Sequence, residues 1–318
     1  MELANPHDRF FKKLFSRDET VRDFVAHYLP PEIADRIDAS SLALEKDTFV
    51  DKELREHFSD LLWRARLKDG RMAYLYVLFE HKSYPDAMVA FQLLRYMFRV
   101  WESRVRPREK LAPIVPIVVY HGREGWNIGV DLHAVFEMPF ELKRMVPDYE
   151  YVLCDLSSHS DADIKGELLS RAGLLLMKHI FQDDLPERFR DVLRLLSELA
   201  ERQEAIEWLE VFLRYVTRGT DKIGRDDLRR AVEGQFSREG GGIVGTLADQ
   251  WIEEGMRKGL QQGLLRAIEM GLQLKFGADG LRLLPEIRKI SDADVLEAIE
   301  QGIKTVATIE ELKRIYAP

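Results

Sequence analysis

Residues 58–82 read FSDLLWRARLKDGRMAYLYVLFEHK, two strand-like runs on either side of Asp69-Gly70. Strand side chains alternate between faces. The odd positions Leu61, Trp63, Ala65 and Leu67, then Ala73, Leu75, Val77 and Phe79, make one uniformly apolar face. The even positions are mixed: Asp60, Leu62, Arg64 and Arg66, then Met72, Tyr74, Tyr76, Leu78, Glu80 and Lys82. An Asp-Gly pair between alternating runs signals a hairpin. Because both runs share one parity, a two-residue loop would set apolar positions against polar ones. A three-residue loop, Asp69-Gly70-Arg71, pairs 68 with 72 and keeps the apolar faces together. That register predicts Asp60 directly opposite Glu80, with Cβ atoms roughly 4.5–5.5 Å apart. Lys82 follows on the same face, about 7 Å farther along.

Directly opposed carboxylates repel each other. Two readings answer that repulsion. A divalent cation bound through oxygen ligands, Mg²⁺ or Mn²⁺, would offset it. Alternatively the strand reaches a solvated rim, where Lys82 balances Glu80 in a weak surface pair.

Outward from the hairpin, the N-terminal segment NPHDRFFKKLFSRDETVRDFVAHYLPPEIADRI is helical in period, with Phe10, Phe11, Leu14 and Phe15 clustered and Pro30-Pro31 interrupting. Residues 41–50 suggest a short strand. After the hairpin, DAMVAFQLLRYMFRVWESRV predicts a helix starting near Asp86, and APIVPIVVYHG a buried strand ending at Gly122. YVLCDLS at 151–157 suggests another strand, and beyond about residue 163 the pattern is helical. A Gly-rich break, SREGGGIVGT at 237–246, divides the chain into 1–236 and a helical C-terminal region, 237–318. Within the latter, Gly recurs every few residues from 255 onward, unusual for a helix, and the tail reads as two short amphipathic helices.

Composition narrows the function classes. The chain has 318 residues, 46% hydrophobic and 32% charged, as a folded protein requires. It has no apolar run near the roughly 20 residues a membrane span needs, and its N-terminus lacks the regions of a signal peptide. The lone Cys154 excludes an intramolecular disulfide and argues against a thiolate zinc site, pointing to a reducing, cytoplasmic setting. The net charge is −8, yet residues 1–130 carry 21 Lys and Arg against 20 Asp and Glu, so a local basic patch is compatible with the total. Walker A, G-x-S-x-G and H-E-x-x-H motifs are absent from the sequence.

Asp60 followed by Glu80-His81-Lys82 on the next strand resembles the D…ExK signature of the PD-(D/E)XK phosphodiesterase superfamily, although Ser59 stands where a proline often precedes the first acid. More narrowly, HDRFFKKLF, FSDLLWRARL, YLYVLFEHKS, LLRYMFRVWE and PIVPIVVYHG, in this order, resemble the bacterial recombination-promoting nuclease / putative transposase family over about residues 5–220. The resemblance implies an α/β, restriction-endonuclease-like core, a mixed sheet flanked by helices. It also implies a metal-dependent DNA endonuclease linked to RecA-independent recombination. Asp60 and Glu80 would then ligate Mg²⁺, with Mn²⁺ as substitute, helped by the His81 backbone carbonyl. Lys82 would orient the attacking water and stabilise charge on the phosphate. Gln92, one turn into the following helix, and Asp8, beside His7, match positions where related nucleases place further polar groups. Their ordinary alternatives are a helix-surface glutamine and a helix cap.

Arg95 and Arg99, spaced i, i+4, with Arg104 and Arg106 in RVRPREK, either grip the phosphates of double-stranded DNA or form a solvated face. His121 at the end of its strand reads as structural, and Tyr74 and Tyr76 as packing groups. The C-terminal helices are candidates for self-association. The competing function is a DNA-binding or protein-interaction module that keeps the nuclease fold without cutting.

Overall fold

Trp63, Ala65 and Leu75 are completely or almost completely buried, so the odd face of the hairpin is core as its apolar alternation requires. The computed structural model describes residues 5–45, 59–80, 86–105, 110–236 and 241–316. In it, helices α1 (Pro6–Phe15), α2 (Asp18–Tyr28) and α3 (Pro31–Ala34) lead into β1 (Ile37–Leu44). The hairpin β2 (Ser59–Leu67) and β3 (Met72–Glu80) follows, then α4 (Val89–Arg104), β4 (Ile114–Tyr120) and β5 (Val152–Asp155). The five strands lie in the order β1-β2-β3-β4-β5. β1, β2 and β3 pair antiparallel, whereas β3, β4 and β5 pair parallel. The sheet is therefore mixed and flanked by helices, the expected α/β architecture.

Each face of the sheet has its own apolar layer. Leu61, Trp63 and Leu75, with Ile117 and Val119 of β4, pack against Phe10, Phe11, Leu14 and Phe15 of α1 and a bank of later helices. The other face carries Leu62, Tyr74 and Val118, covered by Val89, Leu93 and Tyr96 of α4. The mixed even face of the hairpin is thus roofed by a helix along part of its length, which accounts for Tyr74.

Three local expectations shift. The first strand is Ile37–Leu44, not residues 41–50, of which 46–50 lie outside the described residues. Its pairing with β2 is irregular between Asp38 and Ala43. There the Ser41 hydroxyl accepts the Arg66 N–H at 2.7 Å, replacing a backbone carbonyl. The opening helical stretch is two helices parting at Ser16-Arg17. α4 begins at Val89 rather than Asp86, because the Asp86 carboxylate accepts the Met88 N–H at 2.9 Å and holds residues 87–88 in a turn.

The rest is helical: α5 (Leu168–His179), α6 (Leu185–Ser197), α7 (Arg202–Gly219), α8 (Arg225–Phe236) and the long α9 (Gly241–Leu281), broken at Gly277 with φ +58°. A short α10 (Leu284–Ile287) leads to α11 (Ala293–Thr305) and α12 (Ile309–Tyr316), the two amphipathic tail helices expected. Ala248 and Ile252 of α9 belong to the main core. Leu265, Ile268 and Leu272 of the same helix form a separate core with Leu296, Ile299, Ile303 and Leu312.

α9 crosses α7 on glycines. A Cβ on Gly255 would sit 2.0 Å from the Thr217 hydroxyl, and one on Gly259 would sit 2.8 Å from the Thr217 carbonyl oxygen. Beside this crossing Glu254 accepts hydrogen bonds from Arg214, at 2.9 Å, and from Lys258. These bonds hold its carboxyl down at about 2. A carboxylate depressed on folding contributes stability above its ordinary range, and loses it as pH falls from about 4.5 toward 2. Urea midpoints followed across that interval should fall more steeply for the wild type than for Glu254→Gln, whose amide has no proton to gain.

Candidate active site

The geometry at the hairpin begins with its turn. Leu67 N donates to Arg71 O at 2.7 Å and Gly70 N donates to Leu67 O at 2.8 Å, so the three-residue loop is Lys68-Asp69-Gly70. The loop length is as expected, but its position is displaced by one residue. Such loops place a left-handed residue last, and Gly70, at φ +88°, fills that place. Asp69 then clamps Arg71 outside the turn, accepting from its backbone N–H at 3.1 Å and its guanidinium at 2.6 Å.

The displacement alters the site. Asp60 pairs with Leu78, not with Glu80. Asp60 and Glu80 still hold positions on one face, but diagonally, a relationship spanning about 7–8 Å in antiparallel pairs. Glu80 closes β3, and His81 and Lys82 lie outside the described residues. This register does not set the two acids directly opposite each other.

The parallel register carries the row onward. Glu80 pairs with Tyr120 of β4, and Tyr120 with Asp155 of β5. Asp155 is a buried acid that the sequence reading passed over, since its only signal was its place at the end of an apolar strand. Its carboxylate accepts Trp126 N at 3.1 Å, Ser157 N at 2.9 Å and the Ser157 hydroxyl at 2.6 Å. It therefore binds the loops after β4 and β5 together. Tyr120 is buried with its ring edge on Trp126, 5.0 Å between centroids. A Cβ on Gly122 would lie 1.9 Å from the Tyr120 hydroxyl oxygen, which accounts for glycine at the end of VVYHG.

Behind that row, on the opposite face, stands a buried aromatic cluster. His121 hydrogen-bonds the Met177 carbonyl through Nδ1 at 3.0 Å and stacks on Phe181. The His7 ring lies 5.4 Å from that of His121, and its Nδ1 hydrogen-bonds the Tyr215 hydroxyl at 2.9 Å. Burial, then the charge of Asp8, pushes the Tyr215 phenol well above its ordinary value. The first turn of α1, with Asp8, is thereby anchored next to the end of β4, whose last residue is the register partner of Glu80. His7 and Tyr215 went unmarked in the sequence because 208 residues separate them.

The remaining expected residues divide. Gln92 donates to the Asp86 carboxylate at 3.2 Å, while its own carbonyl oxygen is buried with no hydrogen-bond partner among the described residues. Arg95 and Arg99 are exposed on α4, and Arg99 pairs with Glu102 at 3.2 Å. Arg104 is engaged internally: it pairs with Glu45 at 2.7 Å, meets the Tyr74 hydroxyl at 3.1 Å and lies 4.8 Å over the Tyr74 ring. Arg106 lies outside the described residues. Among the described residues, no group of three His, Cys, Asp or Glu is arranged to hold a metal. None of the described helices is long and apolar enough to cross a membrane.

Comparison with known proteins adds relatives to this geometry. The family model described as "Putative transposase, YhgA-like" matches residues 5–207. Recombination-promoting nuclease RpnA of Escherichia coli K12 is 29% identical over 80% of this chain and 86% of its own length. RpnC of the same strain, also named a recombination-promoting nuclease, is 32% identical over 61% of this chain and 65% of its own. A third relative, RpnE, named an inactive recombination-promoting nuclease-like protein, is 25% identical over 92% of this chain and 97% of its own. No solved structure matches the chain.

Proposed function

The chain belongs to the YhgA-like transposase family, and on that premise we propose that it is a divalent-cation-dependent DNA endonuclease, hydrolysing phosphodiester bonds in recombination. The observation that carries this reading is the placement of Asp60 and Glu80 on one face, on adjacent strands, at the end of the hairpin where α1 and β4 converge. Carboxylate oxygens suit Mg²⁺, with Mn²⁺ as substitute. Such an ion needs only one or two of them, completing its shell with water and substrate phosphate. When bound, the ion supplies Lewis acidity toward a phosphoryl oxygen and makes water a stronger acid.

The chain's own residues do the rest. Asp60 and Glu80 would hold the ion, helped by the His81 backbone carbonyl. The Lys82 ammonium orients the attacking water and offsets charge building on the phosphate. Gln92, tied to Asp86 at the head of α4, and Asp8 on α1 would add further polar groups. Arg95, Arg99 and Arg106 contact the phosphates of double-stranded DNA, whereas Arg104 is occupied with Glu45 and Tyr74. Self-association through the C-terminal helices would present two such sites to the two strands, and sedimentation velocity tests it.

A second reading is a DNA-binding or protein-interaction module that retains the fold without cutting, and the inactive designation of RpnE favours keeping it in view. Supercoiled plasmid separates the two. The endonuclease nicks or linearises it in Mg²⁺ or Mn²⁺, and a chelator abolishes the product. Retained DNA binding with no nicking in either metal assigns the second reading.

A further inference from the structure

A cavity of about 160 Å³ opens between α1 and α7, lined among others by Pro6, Arg9, Arg214, Tyr215, Arg218 and Gln262. Three of its lining residues are arginines and none is acidic, and Phe10 and Val211 complete a wall that is otherwise largely apolar. Arg214 is already neutralised, with Nε on Glu210 at 2.7 Å and a terminal nitrogen on Glu254 at 2.9 Å. Arg9 and Arg218 have no such partner: neither makes an ion pair or side-chain hydrogen bond among the described residues, and the Arg218 Nε is buried without an acceptor. Burial, then the neighbouring Arg214 and Arg9, lowers the affinity of Arg218 for its proton, with the Glu254 carboxylate acting the other way. Its place in the last turn of α7 suits a cation. That does not account for a second unpaired guanidinium brought toward it across the cavity from α1. Arg9 is exposed and Arg218 half-buried, so an anion entering from solvent would meet both and relieve the repulsion between them.

We infer that this cavity binds a phosphate group, gripped by Arg9 and Arg218, with Arg214 held in place by Glu210 and Glu254. The planar fork of a guanidinium matches phosphate oxygens in pairs. The cavity accommodates a tetrahedral oxyanion, comparable with a few waters at about 30 Å³ each. The phosphate belongs either to a nucleic-acid strand or to a free phosphate compound. Tyr215, on the cavity wall, bonds His7, which touches His121, the residue after Glu80's register partner. A strand phosphate held here would therefore lie at the same end of the sheet as Glu80, and this clause alone rests on the endonuclease reading.

The test uses the full chain as wild type, Arg9→Gln, Arg218→Gln and Arg218→Lys. Melting temperatures are compared in inorganic phosphate and in chloride at matched ionic strength, with neither metal nor DNA present. Duplex binding is then followed by fluorescence anisotropy against salt, in chelator. Phosphate should raise the wild-type melting temperature, the glutamine variants should lose that rise, and Arg218→Lys should keep part of it. If a strand supplies the phosphate, each glutamine variant also lowers the salt slope of duplex affinity by about 0.9. An unchanged slope with the phosphate response lost supports the site and assigns it to free phosphate compounds. The inference is overturned if wild type and both glutamine variants respond alike to phosphate and share one salt slope. Arg9 is exposed, so its variant guards against misreading a folding defect. Because the melts involve no cleavage, failure here is distinct from failure of the endonuclease reading.

Discussion

Alanine at Glu80 or Asp60 is expected to reduce metal-dependent plasmid nicking by on the order of 10²-fold or more, the cost of removing one group that stabilises charge in a transition state. Duplex binding should survive in both variants, since phosphate contacts supply most non-specific affinity. Lys82→Ala should lose cleavage by a similar factor. The informative control is Asp69→Ala. Asp69 is an acid of the same hairpin, but it sits in the turn at the far end, spent on Arg71. Its loss should leave nicking at the wild-type rate. If Asp60→Ala and Glu80→Ala cut as fast as Asp69→Ala does, the metal assignment fails and the second reading gains.

The second large effect is on stability and turns on a change of sign within one helix. Gly263 of α9 is exposed, and a Cβ there meets nothing within 4 Å. Gly263→Ala should therefore gain about 1 kcal/mol from helix propensity alone. One turn earlier, Gly259→Ala should lose about 1–3 kcal/mol, because its Cβ would meet the Thr217 carbonyl oxygen at 2.8 Å and backbone cannot swing aside. Thermal melts of the two variants should move in opposite directions. Matching shifts would mean that α9 and α7 do not cross as closely as described.

The hairpin, its core face and the α4–β4 succession were legible because alternation and helical period are local signals. Reading the loop as Asp69-Gly70-Arg71 put glycine in the middle, where a three-residue turn has no special need of it. The need falls on the last position, and the strand register follows from there. Gly255 and Gly259 looked anomalous until α7 was placed against them. His7, Tyr215, Asp155 and Arg218 carried no readable signal, since each acquires its meaning from a residue far away in the chain. The charges of α4 show the converse. Arg104 looked like its neighbours in sequence, and only the nearness of Glu45 and Tyr74 separates it from the exposed Arg95 and Arg99.

α9 also sets where this protein can be cut. The family match ends at residue 207, inside α7, yet the main apolar cluster continues through Trp208, Phe212 and Val216 to Ile252. A fragment trimmed to the matched segment would strip the seat from under His7 and bare the underside of α1. A fragment ending at residue 207 is therefore expected to melt well below one carried through the α7–α9 crossing. Among the described residues the tail beyond that crossing packs in its own apolar cluster, separate from those of the sheet, so substitutions inside it are expected to leave the hairpin's packing undisturbed.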